Sequence, residues 1–329
     1  MSAAQHIAFV TASTVGLPMV RRLLSAGHEV VAYSRTGQTV HGYIEAGAVG
    51  AAAAAEAAAA ADVVIGHQLD DAGVQRMYLG TAGLLTRARP GQVFVEHGMF
   101  DPGLARTCAR YAQQQGASFI DVPLSAPPSR AEKRQLIGFA GGSPELTASI
   151  RPILMAYCRD VVALGDVGCG LELALVHELL VSVHAVAAAE ASALLSQLRL
   201  PPRESKRALI QGRAASTVLD ELLPATLTST SAVTHDTIQS AAVTRARITE
   251  AVARLGLRLQ VYPAAQRHFT ELVRAGAGRL DLSQLARAYE VNRRTSTDSA
   301  PPRSRAAVTR DSRTSEDPAP LPAPKESSS

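Results

Sequence analysis

Residues Ile7 to Thr36, IAFVTASTVGLPMVRRLLSAGHEVVAYSRT, restrict the start of this chain to a strand, a tight turn, a helix and a second strand. IAFV is a short apolar β run. Met19, Val20, Leu23 and Leu24 recur at helical spacing, and EVVAY follows Gly27 as a second apolar run. Such a βαβ opening commonly carries G-x-G-x-x-G at its first turn. The first glycine makes the turn, the second lets the backbone approach a pyrophosphate, and the third lets helix and strand pack closely. Here the six positions are Thr11, Ala12, Ser13, Thr14, Val15 and Gly16, so only the third glycine is present.

Short apolar runs continue to about residue 164, with strands expected at 6–10, 29–33, 62–66, 92–96, 118–122 and 136–140 and helical stretches between them. That alternation predicts an α/β fold, a Rossmann-type doubly wound, mostly parallel sheet over 1–164. AAAAAEAAAAA at 51–61 reads as a crossover helix, because alanine is the best helix former. From Leu171 to Leu198 no glycine or proline interrupts 28 positions, which predicts a helix of about 40 Å joining the α/β domain to an all-α domain over 165–292. Breaks are expected in that second domain at Pro201-Pro202, Gly212, Pro224, Pro263 and Gly276 to Gly278. Residues 293–329, rich in Ser, Thr and Pro with seven basic and five acidic side chains, read as a disordered tail.

At 329 residues the chain can bury a large core. MSAAQHIAF lacks the basic start and cleavage pattern of a secretory signal, and no continuous apolar run approaches 18 residues, so a cytoplasmic protein without a membrane partner is expected. Cys108, Cys158 and Cys169 show no C-x-x-C spacing and fit ordinary thiols of a reducing compartment. The net charge of +4 is scattered, aromatics are 4% and tryptophan is absent, which argues against nucleic acid as a partner.

The motifs resemble those of the β-hydroxyacid dehydrogenase family, 3-hydroxyisobutyrate dehydrogenase and its relatives, including the imine reductases. Gly16, Pro18-Met19, Leu23-Leu24, Gly27-His28 and Ser34-Arg35-Thr36 stand in register with the family's opening. The likeness continues through GLL at Gly83 to Leu85, RPG at Arg89 to Gly91, DVPLS at Asp121 to Ser125, AGG at Ala140 to Gly142 and GDVGCG at Gly165 to Gly170. The resemblance implies a Rossmann domain followed by a helical domain of the 6-phosphogluconate dehydrogenase type, a nicotinamide cofactor, a small-molecule substrate and a homodimer.

For the cofactor, the second strand ends in Tyr33-Ser34-Arg35-Thr36 without a carboxylate. By resemblance Ser34, Arg35 and Thr36 would hold the 2′-phosphate of NADP(H), favouring it over NAD(H), unless Arg35 is only a solvated loop charge. Leu69 joins the cofactor-contacting positions on the same grounds. At the first turn a side chain at Thr11 is expected to strain the backbone and Ser13 to crowd the phosphate, which would weaken binding. Thr11, Ser13 and Thr14 could instead donate to phosphate oxygens beside the helix start at Val15 and Gly16, or simply cap that helix.

The substrate positions depart further from the family. Ser125 is kept, but two glycines become Ala126 and Pro127, and G-T-L becomes Arg134-Gln135-Leu136. Arg130, Lys133 and Arg134 read as a solvated loop face, with recognition of an anion as the other reading. The family's catalytic lysine and two asparagines fall on Ala174, His177 and Glu178, its Ser/Thr pair on Gly98 and Met99, and its K-D pair on His235-Asp236. On a helix Ala174, His177 and Glu178 share a face, so His177 and Glu178 are expected to point to the cleft. His177 is the candidate proton donor, or else a core histidine, with Glu178, Ser125 and His235 shaping the pocket. His67 and His97 also fall near the cleft, but the histidines sit on separate elements without ligand spacing, so no metal is expected. Two activities remain open: a reductase of a small carbonyl or imine substrate, and a non-catalytic relative that binds or assembles.

Overall fold

In the computed structural model the described residues are 4–11, 16–35, 37–59, 61–126, 128–228, 237–240 and 242–285. The expected tail at 293–329 lies outside them.

The α/β part runs β1 (His6–Thr11), α1 (Leu17–Ser25), β2 (Glu29–Ser34), α2 (Gly37–Glu45), β3 (Val49–Gly50), α3 (Ala54–Ala59), β4 (Val63–His67) and α4 (Asp71–Val74). It continues with β5 (Val93–Glu96), α5 (Pro102–Gln114), β6 (Ser118–Asp121), β7 (Leu136–Ala140), α6 (Pro144–Leu154) and β8 (Cys158–Ala163). Six strands form one parallel sheet in the order β3-β2-β1-β4-β5-β6, the Rossmann order in which the chain reverses direction between β1 and β4. The helices start where the sequence supplies caps. Asp101 accepts from Leu104 N at 2.9 Å and Ser143 from Leu146 N at 3.2 Å, each followed by a proline at the first helical position.

Alternation of side chains divides the sheet's two faces. Ile7, Phe9, Val30, Ala32, Val63, Ile65 and Val95 pack on one face with α1 and α6, whereas Ala8, Val10, Val64 and Phe94 pack on the other with α3 and α5. Cys108 and Cys158 are buried thiols pushed up to about 12 by desolvation.

The run at 136–140 is a strand, but it does not join the large sheet as the alternation suggested. It pairs in parallel with β8, which the sequence reading missed. Leu124 and Gly138 bridge the connection antiparallel, and this turns β7 away from the edge after β6. The half-exposed pattern of CRDVVA hides β8 from a search for apolar runs.

Helix α7 (Cys169–Leu198) is the expected connector. α8 (Pro202–Gln211), α9 (Thr217–Thr228), α10 (Ala242–Arg254) and α11 (Val261–Arg274) follow. Ala185, Ala188 and Ala189 of α7 form a third core with Leu219, Leu222, Leu223 and Phe269. Two expected breaks are absent. α9 continues through Pro224 while Leu219, Leu222 and Leu223 are buried, and Pro263 lies in the first turn of α11, where its missing N–H has no intrahelical partner to lose. The break between α10 and α11 instead uses Gly256, at φ +65°.

Helix α7 is long and apolar enough by length and composition alone to cross a membrane, because its few charges interrupt the run without lowering its average much. Part of its surface is left uncovered by the described residues. Val176, Leu180, Leu194 and Leu198 are exposed, the last two by 60% and 58%, and they fall on one helical face.

Candidate active site

The carboxyl ends of the central strands place a row of polar side chains beside the point where the strand order reverses. Thr11 of β1 lies directly opposite Ser34 of β2 and His67 of β4. In ligand-binding open sheets this is where the ligand crevice forms. Thr11 is the last strand residue and its Oγ1 donates to the His67 carbonyl at 3.3 Å. It is not among the residues at positive φ, so the anticipated backbone strain is absent: the turn begins beyond it. Ser13, Thr14, Val15 and Thr36 lie outside the described residues.

Gly16 shows why the third fingerprint glycine is kept. A Cβ there would collide with the Phe9 ring and meet the Tyr43 hydroxyl at 3.0 Å, so the close packing of α1 on β1 needs a bare backbone. Gly16 is also the cap residue of α1 and, having no side chain, makes no side-chain cap bond there. The positive end of the helix dipole therefore faces the crevice. Ser34 is 5% exposed and its Oγ is buried without a hydrogen-bond partner. A free helix end, a hydroxyl without a partner and a turn at the switch point fit the diphosphate and ribose of a nicotinamide dinucleotide. Arg35 is exposed at the end of β2 and Leu69 is exposed just after β4, both on this edge.

Next to this row stand two buried carboxylates that the sequence reading did not single out. Glu96 accepts from Gln68 N at 2.7 Å, Gly98 N at 2.8 Å and the Tyr78 hydroxyl at 2.7 Å. Burial nevertheless pushes it up to about 7. The site depends on Gly66 and Gly98: a side chain at Gly66 would collide with Tyr78 and Glu96, and one at Gly98 with the Gln68 carbonyl. Gly98, where the family has serine, is thus part of the packing between the ends of β4 and β5. Asp121 accepts from Gly168 N at 2.6 Å and Leu171 N at 2.9 Å, fastening the first turn of α7 to the end of β6. Burial raises it to about 6. The aspartate of DVPLS is therefore a clamp for the connecting helix. Its signal in the sequence was the pairing of a strand-end acid with the glycines of GDVGCG.

His97 is buried, with Nδ1 2.6 Å from the Val122 carbonyl and Nε2 2.8 Å from the Tyr157 hydroxyl. Desolvation lowers it to about 4, so it is a neutral structural histidine. His67 is lowered for the same reason.

The face of α7 expected to meet substrate splits in two. His177 is half-buried with its ring 5.4 Å from that of Phe139 on β7, and burial lowers its pKa. Ala174 is buried, one turn earlier. Glu178 turns instead into the helical part, where it lines a small cavity with Ser182, Thr237, Arg245 and Phe269. Burial lowers the Arg245 guanidinium and Glu178 opposes that shift. Arg245 also stacks 4.1 Å over the Phe269 ring and donates to the Ile238 carbonyl at 2.6 Å. His177 therefore meets Phe139 of β7, while Glu178, about 100° further round the helix, lines the cavity with Arg245. His235 lies outside the described residues.

Ser125 sits on the loop before β7. Its N–H donates to the Ile137 carbonyl at 2.9 Å and its Oγ accepts from Ile137 N at 3.0 Å, which leaves the hydroxyl proton to donate. The neighbouring cations do not act together. Arg130 pairs with Glu221 of α9 at 2.6 Å, while Arg134 is exposed and held at φ +52°, the left-handed conformation suited to the glycine it replaces. A second ion pair, Arg247 to Asp71 at 2.7 Å, also ties α10 to the sheet's carboxyl edge. Among the described residues no group of three His, Cys, Asp or Glu side chains could hold a metal.

Residues 6–165 match the family model described as the NAD binding domain of 6-phosphogluconate dehydrogenase. A 3-hydroxyisobutyrate dehydrogenase from Pseudomonas aeruginosa is 32% identical over 188 residues, which cover 57% of this chain and 63% of that protein. Over this stretch the chain is similar to the β-hydroxyacid dehydrogenase family. Two solved structures share the fold of this chain. The Mycobacterium tuberculosis 3-hydroxyisobutyrate dehydrogenase with L-serine has a TM-score of 0.76 at 23% identity, over 87% of this chain and 99% of that one. The imine reductase from Myxococcus stipitatus in complex with NADP+ has 0.51 at 17%, over 85% and 98%.

Proposed function

We propose that this protein is an NAD(P)(H)-dependent oxidoreductase that reduces a small carbonyl or imine substrate, with NADPH favoured over NADH. The observation that carries the reading is the crevice at the β1/β4 reversal, where the uncapped start of α1, the partnerless Ser34 hydroxyl and Gly16 packed on Phe9 meet. The ligands of similar structures support it: one holds NADP+ and another L-serine. The cofactor, when bound, supplies hydride chemistry. Thr11, Gly16 and Ser34 would hold its diphosphate and ribose, and Arg35 its 2′-phosphate. His177 exchanges a proton with the reacting oxygen or nitrogen, and Ser125 donates its free hydroxyl proton to substrate. The missing lysine at Ala174 favours a second reading, a non-catalytic relative that binds or assembles. We also propose a homodimer, in which a second copy covers the exposed apolar face of α7. The function is tested by titrating NADPH and NADH against the purified protein and following nicotinamide fluorescence. Saturable binding with NADPH tighter is expected, as is loss of that preference in Arg35→Ala. No saturation at millimolar concentration of either would refute the enzyme reading, and tighter NADH binding would refute the role of Arg35.

A further inference from the structure

We propose that His67 binds the diphosphate bridge of the dinucleotide, supplying from the end of β4 a donor in place of backbone contacts that the glycine-poor first turn has lost. The inference rests on the nicotinamide reading above and assigns to it a residue that the family's fingerprint does not contain.

Register places His67 there. Ser34, Thr11 and His67 lie abreast on adjacent strands, and His97 follows Glu96, the partner of Gly66, so it continues the same row. Side chains two apart on a strand share a face. The row therefore lies on the face of Ala32, Phe9, Ile65 and Val95, the face against which Gly16 and the start of α1 pack. Within the row Thr11 donates to the His67 carbonyl, and both His97 nitrogens are engaged by Val122 and Tyr157. Ser34 Oγ and His67 Nδ1 alone in it are buried without a partner. Buried polar atoms without partners are uncommon, and two of them flanking Thr11 at the switch point mark the place of a polar ligand.

The charge around His67 suits an anion. The nearest carboxylate on these strands, Glu96, faces the opposite side of the sheet, toward Tyr78. His97 is neutral, and the start of α1 presents the positive end of its dipole. His67 is half-buried as a residue, and its imidazole can donate to a phosphate oxygen in either protonation state. β1 lies between β2, which carries Ser34 and Arg35, and β4, which carries His67. A dinucleotide with its 2′-phosphate at Arg35 therefore runs from β2 across β1 toward β4, which brings its diphosphate bridge to the His67 side.

Three probes separate this role from others: NADPH, 2′-phospho-ADP-ribose, which keeps the diphosphate and lacks nicotinamide, and adenosine 2′,5′-bisphosphate, which lacks the diphosphate. Dissociation constants are measured calorimetrically for the full chain and for His67→Ala. The expected result is binding weakened about 10-fold or more for the first two probes and changed less than about twofold for the third, as for loss of a hydrogen bond to a charged group. Equal weakening of all three, or no weakening of the first two, would overturn the proposal. If none of the probes binds the unmodified protein, the nicotinamide reading falls with it, whereas binding insensitive to His67→Ala overturns the His67 role alone. Should His67→Ala fail to fold, imidazole NMR of the unmodified protein decides. The His67 resonances, assigned with His67→Gln, are expected to move on adding 2′-phospho-ADP-ribose and to stay with adenosine 2′,5′-bisphosphate; the same response to both would refute the contact.

Discussion

Replacing Glu96 by glutamine isolates one pH-dependent cost of burial in the described sheet. The carboxyl is fully buried, and its pKa rises from an ordinary 4.5 to about 7 because desolvation outweighs the three hydrogen bonds it accepts. A carboxylate raised in the fold contributes stability that is fully present below the unfolded pKa and is lost as pH rises through the folded one. The full loss is about 3 kcal/mol at about 1.36 kcal/mol per pH unit, of which about 2.5 falls between about pH 5 and pH 8. Glutamine keeps the shape and cannot ionise. Its amide must exchange the bond with Tyr78, but that offset is the same at every pH and does not enter the slope. His97 acts in the opposite sense: lowered to about 4, it stays neutral in the fold and costs stability as pH falls below 6.5. The two trends partly cancel in the unmodified protein, so the difference between the proteins is the quantity to measure. Urea unfolding followed by far-UV circular dichroism, which suits a chain without tryptophan, would be run at fixed ionic strength and protein concentration. Relative to Glu96→Gln, the unmodified protein is expected to lose about 2.5 kcal/mol from pH 5 to pH 8. Parallel stability curves would refute the reasoning.

Burial lowers His177, so its protonated form is populated only below pH 6.5, and turnover is expected to rise as pH falls through that region. His177→Ala should remove this limb and about 10²-fold of turnover while sparing NADPH affinity; an unchanged pH–rate profile would exclude the donor role. Arg134→Gly should raise stability by about 0.5 to 1 kcal/mol in the same urea assay, because φ +52° strains every residue with a side chain more than glycine; a loss would show that the arginine side chain matters more than its backbone. Sedimentation of Leu180→Glu with Leu194→Glu is expected to show a monomer where the unmodified chain sediments as a dimer at micromolar concentration; an unchanged assembly would place the interface elsewhere.

The sequence by itself determined the elements whose side-chain period is local. IAFV and EVVAY are short apolar runs and form the buried parallel strands expected of them, and the unbroken stretch to Leu198 is one helix because nothing in it interrupts backbone hydrogen bonding. The motifs shared with the family also gave the Rossmann order, and Gly16 kept its role because close packing on Phe9 requires it. Only the tertiary structure decided contacts between residues far apart in the chain. Ser34, Thr11 and His67 become one row through strand register, which no spacing in the chain reveals. Asp121 becomes a helix clamp and Glu96 a strained acid only once α7 and Tyr78 close over them. Glu178 shared a helical face with Ala174 in the sequence and yet lines a cavity with Arg245, 67 residues later, which only the packing of α10 on α7 brings about. Local periodicity fixes which face a residue occupies; the partner across that face is set by the rest of the chain.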